Sequence, residues 1–201
     1  MRIVLAAAAL LLTVPLAACG SDGDATATDS TTSRPTQVPA ASGPVTTAGI
    51  VTVMDTGSPE VCLGPVAESY PPQCSGPALI GWDWAEHRQM FETQGDVRWG
   101  SFVLTGTWDG TSLTPTDAVP AALYDPARAE EPTYPKPSRH LSDSELEQVR
   151  ASVEDLPGAQ SAYADGTRVL VDVTYDDGSL QEWADETYGA GVVVVHPMLV
   201  E

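Results

Sequence analysis

Residues 97–116 read VRWGSFVLTGTWDGTSLTPT. From Val97 to Trp108 the chain is rich in aromatic and β-branched residues, with Phe102, Leu104 and Trp108 on one face and Val103, Thr105 and Thr107 on the other. Gly100 and Gly106 interrupt this long strand where a bulge or sharp bend is needed. Asp109-Gly110 is a strong hairpin signal, and Thr111 to Thr116 read as the returning strand. Upstream, Ile50, Val51 and Val53 mark a further strand that ends at the turn Asp55-Thr56-Gly57. A bent hairpin with another strand beside it predicts a small β-barrel, OB-like or SH3-like.

Downstream, six prolines (Pro115, Pro120, Pro126, Pro132, Pro135 and Pro137) crowd a short stretch that no helix or central strand should survive. The expected organisation is therefore a β-rich unit at 49–117, a Pro-rich connector at 118–137 and a second unit at 138–201. The second unit opens on a capping box, with Ser142 as N-cap and Glu145 at N3, and with Leu141 and Leu146 placed as a hydrophobic staple. Leu146, Val149, Val153 and Leu156 then line one helical face until Pro157-Gly158. RVLVDVTY (168–175) reads as a strand. Ser179 with Glu182 suggests a second capping box, Leu180, Trp183, Ala184 and Thr187 form a stripe, and Gly189 ends that helix. Val192 to Val195 read as a buried strand, with Met198 to Val200 continuing along an edge. The order α-β-α-β, following a small barrel, makes the expected fold class α+β.

The N-terminus carries a different kind of signal. Arg2 precedes an apolar run, Ile3 to Val14, too short to span a bilayer comfortably, and Pro15 and small residues follow. Leu16-Ala17-Ala18-Cys19 resembles the lipobox of bacterial lipoproteins. The resemblance covers residues 1–19 and implies a signal peptide at 1–18, cleavage before Cys19, a diacylglycerol on the Cys19 sulfur and an acylated amino group of the palmitate kind. It implies lipid anchoring on the extracytoplasmic side of the cell membrane. Two or three acyl chains at about 0.8 kcal/mol per buried CH2 make such an anchor essentially permanent. The Ala/Asp/Thr/Gly/Pro-rich chain with Arg over Lys also resembles lipoproteins of high-GC bacteria. Residues 20–48, nearly all Gly, Ala, Ser, Thr, Pro and Asp, read as a disordered tether.

With 201 residues, the chain has room for one ordinary domain or two small ones. Its 28 acidic against 9 basic residues give a net charge of -19, which speaks against a nucleic-acid partner and against adhesion to anionic lipid by surface charge alone. Of three cysteines, Cys19 is taken by the lipobox, so Cys62 and Cys74 are expected to form a disulfide in an oxidising compartment.

The candidates for chemistry concentrate in GWDWAEHRQMF (81–91). Trp82, Trp84 and Tyr70, with Asp83, would make an aromatic and acidic site for a sugar, a cation or an amine. If the stretch is helical, Asp83, Glu86 and His87 share a face suited to acid–base work or a metal. Against that reading, a lone His beside carboxylates is an ordinary surface feature, His140 and His196 look structural, and Asp165-Gly166 and Asp176-Asp177-Gly178 look like turns. No metal site or cofactor is expected. GxSxG, HExxH, P-loop and GxGxxG are absent from the sequence. The first expectation is a non-catalytic envelope lipoprotein that binds an envelope protein or cell-wall partner. The alternatives are a small-ligand binder and a hydrolase using Asp83 and Glu86.

Overall fold

The computed structural model describes residues 32–125 and 132–201. The signal segment 1–18, Cys19 and the first residues of the expected tether lie outside the described residues, as does the part of the connector at 126–131. Among the described residues the first half holds β1 (Pro44–Thr47), β2 (Val51–Asp55), β3 (Pro59–Cys62), β4 (Ala78–Leu79), β5 (Glu92–Gln94), β6 (Val97–Trp108) and β7 (Ser112–Pro120). The second half holds α1 (Asp143–Val153), β8 (Ala159–Ala164), β9 (Val169–Val173), α2 (Ser179–Tyr188), β10 (Val193–Pro197) and β11 (Leu199–Val200). The fold is mixed α+β, as expected.

Strand β6 organises the first half. It pairs antiparallel with β2 (Val51 opposite Phe102) and with β7 (Val103 opposite Val119). β3 and β4 complete a ring of five strands in the order β2-β3-β4-β7-β6, in which β4 and β7 run parallel and every other pair is antiparallel. The barrel is closed because β6 is long enough to bend and offer both edges. Its register with β7 shifts between Thr105 and Gly106, where a side chain at 106 would collide with the Thr114 carbonyl oxygen. A side chain at Gly100 would likewise meet the Met90 carbonyl oxygen and the Phe102 ring, both at 2.7 Å. Val45, Val53, Val61, Phe102, Leu104 and Leu113 fill the interior.

Two expectations about boundaries are corrected. Residues 32–48 of the segment read as tether belong to the folded body: Arg34 lies over the Trp183 ring at 5.6 Å, and Val38 and Ala41 pack on the barrel core. Its last residues form β1, held between β6 and β11. Polar composition hid this because Val45 supplies the strand's main apolar anchor, while Thr46 and Thr47 bond sideways to Thr105 and the Leu104 amide. Strand β7 also runs on through Pro115 to Pro120, past its expected end at Thr116 and the expected unit boundary at 117. It tolerates proline because only Ser112 and Leu113 pair on its second side, and Pro115 sits at the bulge opposite Gly106.

In the second half, α1 carries the expected box: Ser142 N and Oγ donate to Glu145 Oε2 at 2.8 and 2.6 Å, and Glu145 N returns to Ser142 Oγ at 3.4 Å. Leu146, Val149, Val153 and Leu156 are all buried. β9, α2 and β10 form a βαβ unit with parallel strands. The expected α-β-α-β order becomes α-β-β-α-β, because AQSAYA forms β8, an edge strand hairpinned to β9 through the Asp165-Gly166 turn. Ala and Ser give that segment no β pattern of its own. The second capping box is not formed either. The N-cap of α2 is Gly178 at φ 101°, and the Asp176 carboxylate takes the Leu180 and Gln181 amides in place of Ser179.

The two expected units form one compact body. Tyr175 belongs to the barrel core, and β11 leaves the small sheet to pair with β1. Met198 N and Leu199 N donate to the Val173 and Thr174 carbonyls while Ala48 N donates to Met198 O, which stitches the two sheets together. Among the described residues no helix is long and apolar enough to cross a membrane.

Candidate functional site on the barrel

The loop 81–91 connects β4 to β5 and carries the aromatic and acidic residues singled out above. Asp83 Oδ1 accepts the Ala85 amide at 2.8 Å, which caps a single 3-10 turn, Trp84–His87. The helix that would bring Asp83, Glu86 and His87 onto one face does not form, since the turn ends at Arg88 and Gln89 adopts φ 67°. Among the described residues no three His, Cys, Asp or Glu side chains converge as metal ligands, so Asp83, Glu86 and His87 do not make the cluster a helix would have made.

Trp84 belongs to the barrel core, and Trp82 packs against it. Trp84 is 5% exposed, and its Nε1 donates to Asp55 Oδ2 at 2.8 Å. Trp82 is half-buried, edge-on to Phe102 and to Trp84 at 5.0 and 5.3 Å. Its indole stacks on the His87 ring, with centroids 4.1 Å apart and planes 14° from parallel. That stack lines a groove of about 470 Å³ between the loop and β7. Asp83, Glu86 and Arg88 border it from the loop, and Thr116 and Asp117 from the strand. Trp82 Nε1 is buried and has no hydrogen-bond partner among the described residues.

Tyr70 is not part of this groove. It is 67% exposed, lies edge-on to Trp99 at 5.3 Å and sits in the loop closed by the Cys62–Cys74 disulfide, whose Cα atoms are 5.9 Å apart. Cys62 packs with Met54 and Trp99 in a small cluster of its own. The disulfide is formed as expected. Of the four residues expected to act together, only Trp82 and Asp83 reach the groove.

The acidic turns serve the backbone. Asp165 Oδ1 accepts the Thr167 hydroxyl and the Thr167 and Arg168 amides, and Asp177 accepts the Ser179 amide. The Ser179 bonds hold the Asp177 carboxyl below its ordinary range. For Asp165 partial burial pushes upward, and the Thr167 and Arg168 hydrogen bonds outweigh it.

One constellation escaped sequence reading. Ser161, Asp172 and His196 are cross-strand neighbours on β8, β9 and β10. Ser161 Oγ donates to Asp172 Oδ2 at 2.5 Å, and His196 Nδ1 lies 3.2 Å from Asp172 Oδ1. The hydroxyl is bonded to the carboxylate and not to the imidazole, so the row lacks the nucleophile–base contact of a hydrolytic triad. It was illegible because β8 was not recognised and the register could not be drawn. No family model matches the chain, and no curated protein or solved structure matches it.

Proposed function

We propose that the chain is a lipid-anchored, extracytoplasmic binding module, with Cys19 holding the folded body to the cell membrane and the barrel groove taking the ligand. The observation that carries the binding reading is the half-buried Trp82–His87 stack on the groove wall, bordered by Asp83, Glu86 and Asp117. A flat aromatic surface beside carboxylates suits a sugar face with its hydroxyls, or an amine-bearing group. The groove's volume falls in the range of small-ligand sites. A cell-wall or envelope partner presenting such a group fits the same surface, and nucleic acid does not. The hydrolase alternative has less support, because Asp83 holds the 3-10 turn.

The barrel itself is proposed to be OB-like and not SH3-like. Support comes from its closing order, in which the third ring strand (β4) pairs in parallel with the fifth (β7) and the first (β2) pairs with the fourth (β6). The groove lies beside the connection between the third and fourth ring strands. Thirteen residues of any conformation from Cys19 to residue 32 span at most about 45 Å, so an anchor on Cys19 would keep the body near the membrane surface.

The test has two arms. Cys19→Ser should move the protein from the membrane fraction to the soluble fraction and abolish palmitate labelling. Tryptophan fluorescence of the full chain in non-ionic detergent should saturate with a wall-derived sugar or amine. Glu86→Gln with Asp117→Asn, both exposed, should weaken that response by about tenfold while leaving the melting temperature in place. A response indifferent to both changes removes the groove from the proposal.

A further inference from the structure

A second pocket, of about 480 Å³, is lined by Lys136, Arg139, His140 and Arg168 together with Ser138 and Thr167. In a chain with 28 acidic and 9 basic residues, three basic side chains in one concavity, Lys136 (the chain's one lysine), Arg139 and Arg168, stand against the overall charge. The wall that carries them is held in place. Ser138 N donates to Ala190 O at 2.8 Å, and the Pro135 and Lys136 carbonyl oxygens lie so close to Gly191 that a Cβ there would meet them at 3.0 and 3.1 Å. Arg139 Nε donates to the Tyr188 carbonyl at 2.7 Å, which anchors the guanidinium by one nitrogen. Arg168 Nη1 donates to the Pro135 carbonyl at 2.7 Å, and its guanidinium lies over the Tyr134 ring at 5.5 Å. Its side chain is 12% exposed, and its buried Nε has no hydrogen-bond partner among the described residues, with Asp165 Oδ2 at ion-pair distance only.

Two carboxylates border the cluster, and each is partly committed to a turn or cap. Asp165 Oδ1 holds its own turn while its Oδ2 pairs with Arg168 Nε at 3.6 Å, which leaves the other Arg168 nitrogens and Arg139 uncompensated by it, and Glu145 Oε2 takes both Ser142 donors. Lys136 and His140 both line the pocket and are exposed.

We propose that this pocket binds a phosphate group. Several cationic donors converging on one concavity exceed what a single carboxylate needs and match a phosphoryl group that accepts on more than one oxygen. The site stands independently of the groove and of the lipid anchor. Two sources share this chemistry, a phospholipid headgroup and a soluble phosphate.

The experiment is a calorimetric titration of the full chain in non-ionic detergent at low ionic strength with three probes: pyrophosphate, glycerol phosphate and short-chain phosphatidylglycerol. Saturable binding is expected, weakened about tenfold by Lys136→Gln and by Arg139→Gln. Arg98→Gln, an equal charge change on the exposed side of β6, should leave it within about twofold. Because Arg139 also braces Tyr188, Lys136→Gln carries the decision. Saturation by the lipid alone identifies the headgroup as the source, and saturation by pyrophosphate or glycerol phosphate identifies a soluble phosphate. The proposal is overturned by no saturation with any probe, by binding indifferent to Lys136→Gln, or by an equal loss in Arg98→Gln.

Discussion

The side-chain amide of Gln181 occupies the free edge of the small sheet, accepting from Val195 N at 2.8 Å and donating to Val193 O at 3.0 Å. β10 is the last strand on that side, and an unpaired edge is a template for another chain. A single carboxamide supplies one donor and one acceptor at strand spacing and closes it. Asp185 Oδ1 fixes the amide by accepting from the same Nε2 at 3.0 Å.

Gln181→Ala removes both bonds. It should destabilise the fold by about 1–2 kcal/mol in urea unfolding. The variant should also self-associate at concentrations where the parent stays monodisperse by light scattering. Equal stability and no association would show that water replaces the amide without loss.

Tyr175 and Glu201 tie the core to the last residue. The Tyr175 hydroxyl donates to Glu201 Oε1 at 2.9 Å, and the same carboxylate accepts the Ser42 and Gly43 amides. Burial, followed by the Glu201 carboxylate, pushes the Tyr175 phenol up to about 12. A raised phenol pKa means that the proton is held more tightly in the folded state. Its stabilisation is therefore complete below pH 10 and is lost as pH rises from about 10 to 12. Glu201 is shifted the other way, first by the Tyr175 hydroxyl, so its contribution holds at neutral pH and falls away in acid. Tyr175→Phe should flatten the alkaline limb of a melting-temperature profile, and Glu201→Gln the acid limb.

The Cys62–Cys74 bridge closes a loop with a sequence separation of 12 that contains several prolines and no α-helix or strand longer than an isolated bridge. Reduction should cost about 3 kcal/mol by loop-closure entropy. Trp99 packs with Cys62 and carries Tyr70 on its edge, so its fluorescence should change with reduction. Urea midpoints with and without a phosphine reductant measure the first effect, and emission at constant protein concentration the second.

Gly106→Ala places a methyl group against the Thr114 carbonyl oxygen, and against Pro115 Cα at 2.8 Å. Both are backbone atoms across the bulge and neither can turn away. The substitution should destabilise the barrel by about 1–3 kcal/mol. Gly43→Ala meets nothing within 4 Å and should lie within about 0.5 kcal/mol of the parent. Thermal unfolding of the pair separates the steric effect from the general effect of losing a glycine.

Local physics was legible in the chain. The Ser142–Glu145 box, the Asp109-Gly110 hairpin, the full span of β6 and the β9-α2-β10 unit each depend on residues close in sequence, so composition and spacing determined them. The cysteine pair followed from elimination. Tertiary structure decided whatever depends on distant partners. β1 is a strand because β6 and β11 flank it, β7 carries prolines because its second edge is open beyond Leu113, and β8 exists because β9 needs a neighbour. The site divides the same way. Trp82 beside Asp83 could be read from adjacency, but Trp84 turned inward to Asp55 and Tyr70 went to Trp99. The basic pocket joins residues 136–140 to Arg168, and the Ser161–Asp172–His196 row needs a register across three strands. Hydrogen-bond ladders and burial act through space, so polar segments with no periodicity of their own take their structure from what surrounds them.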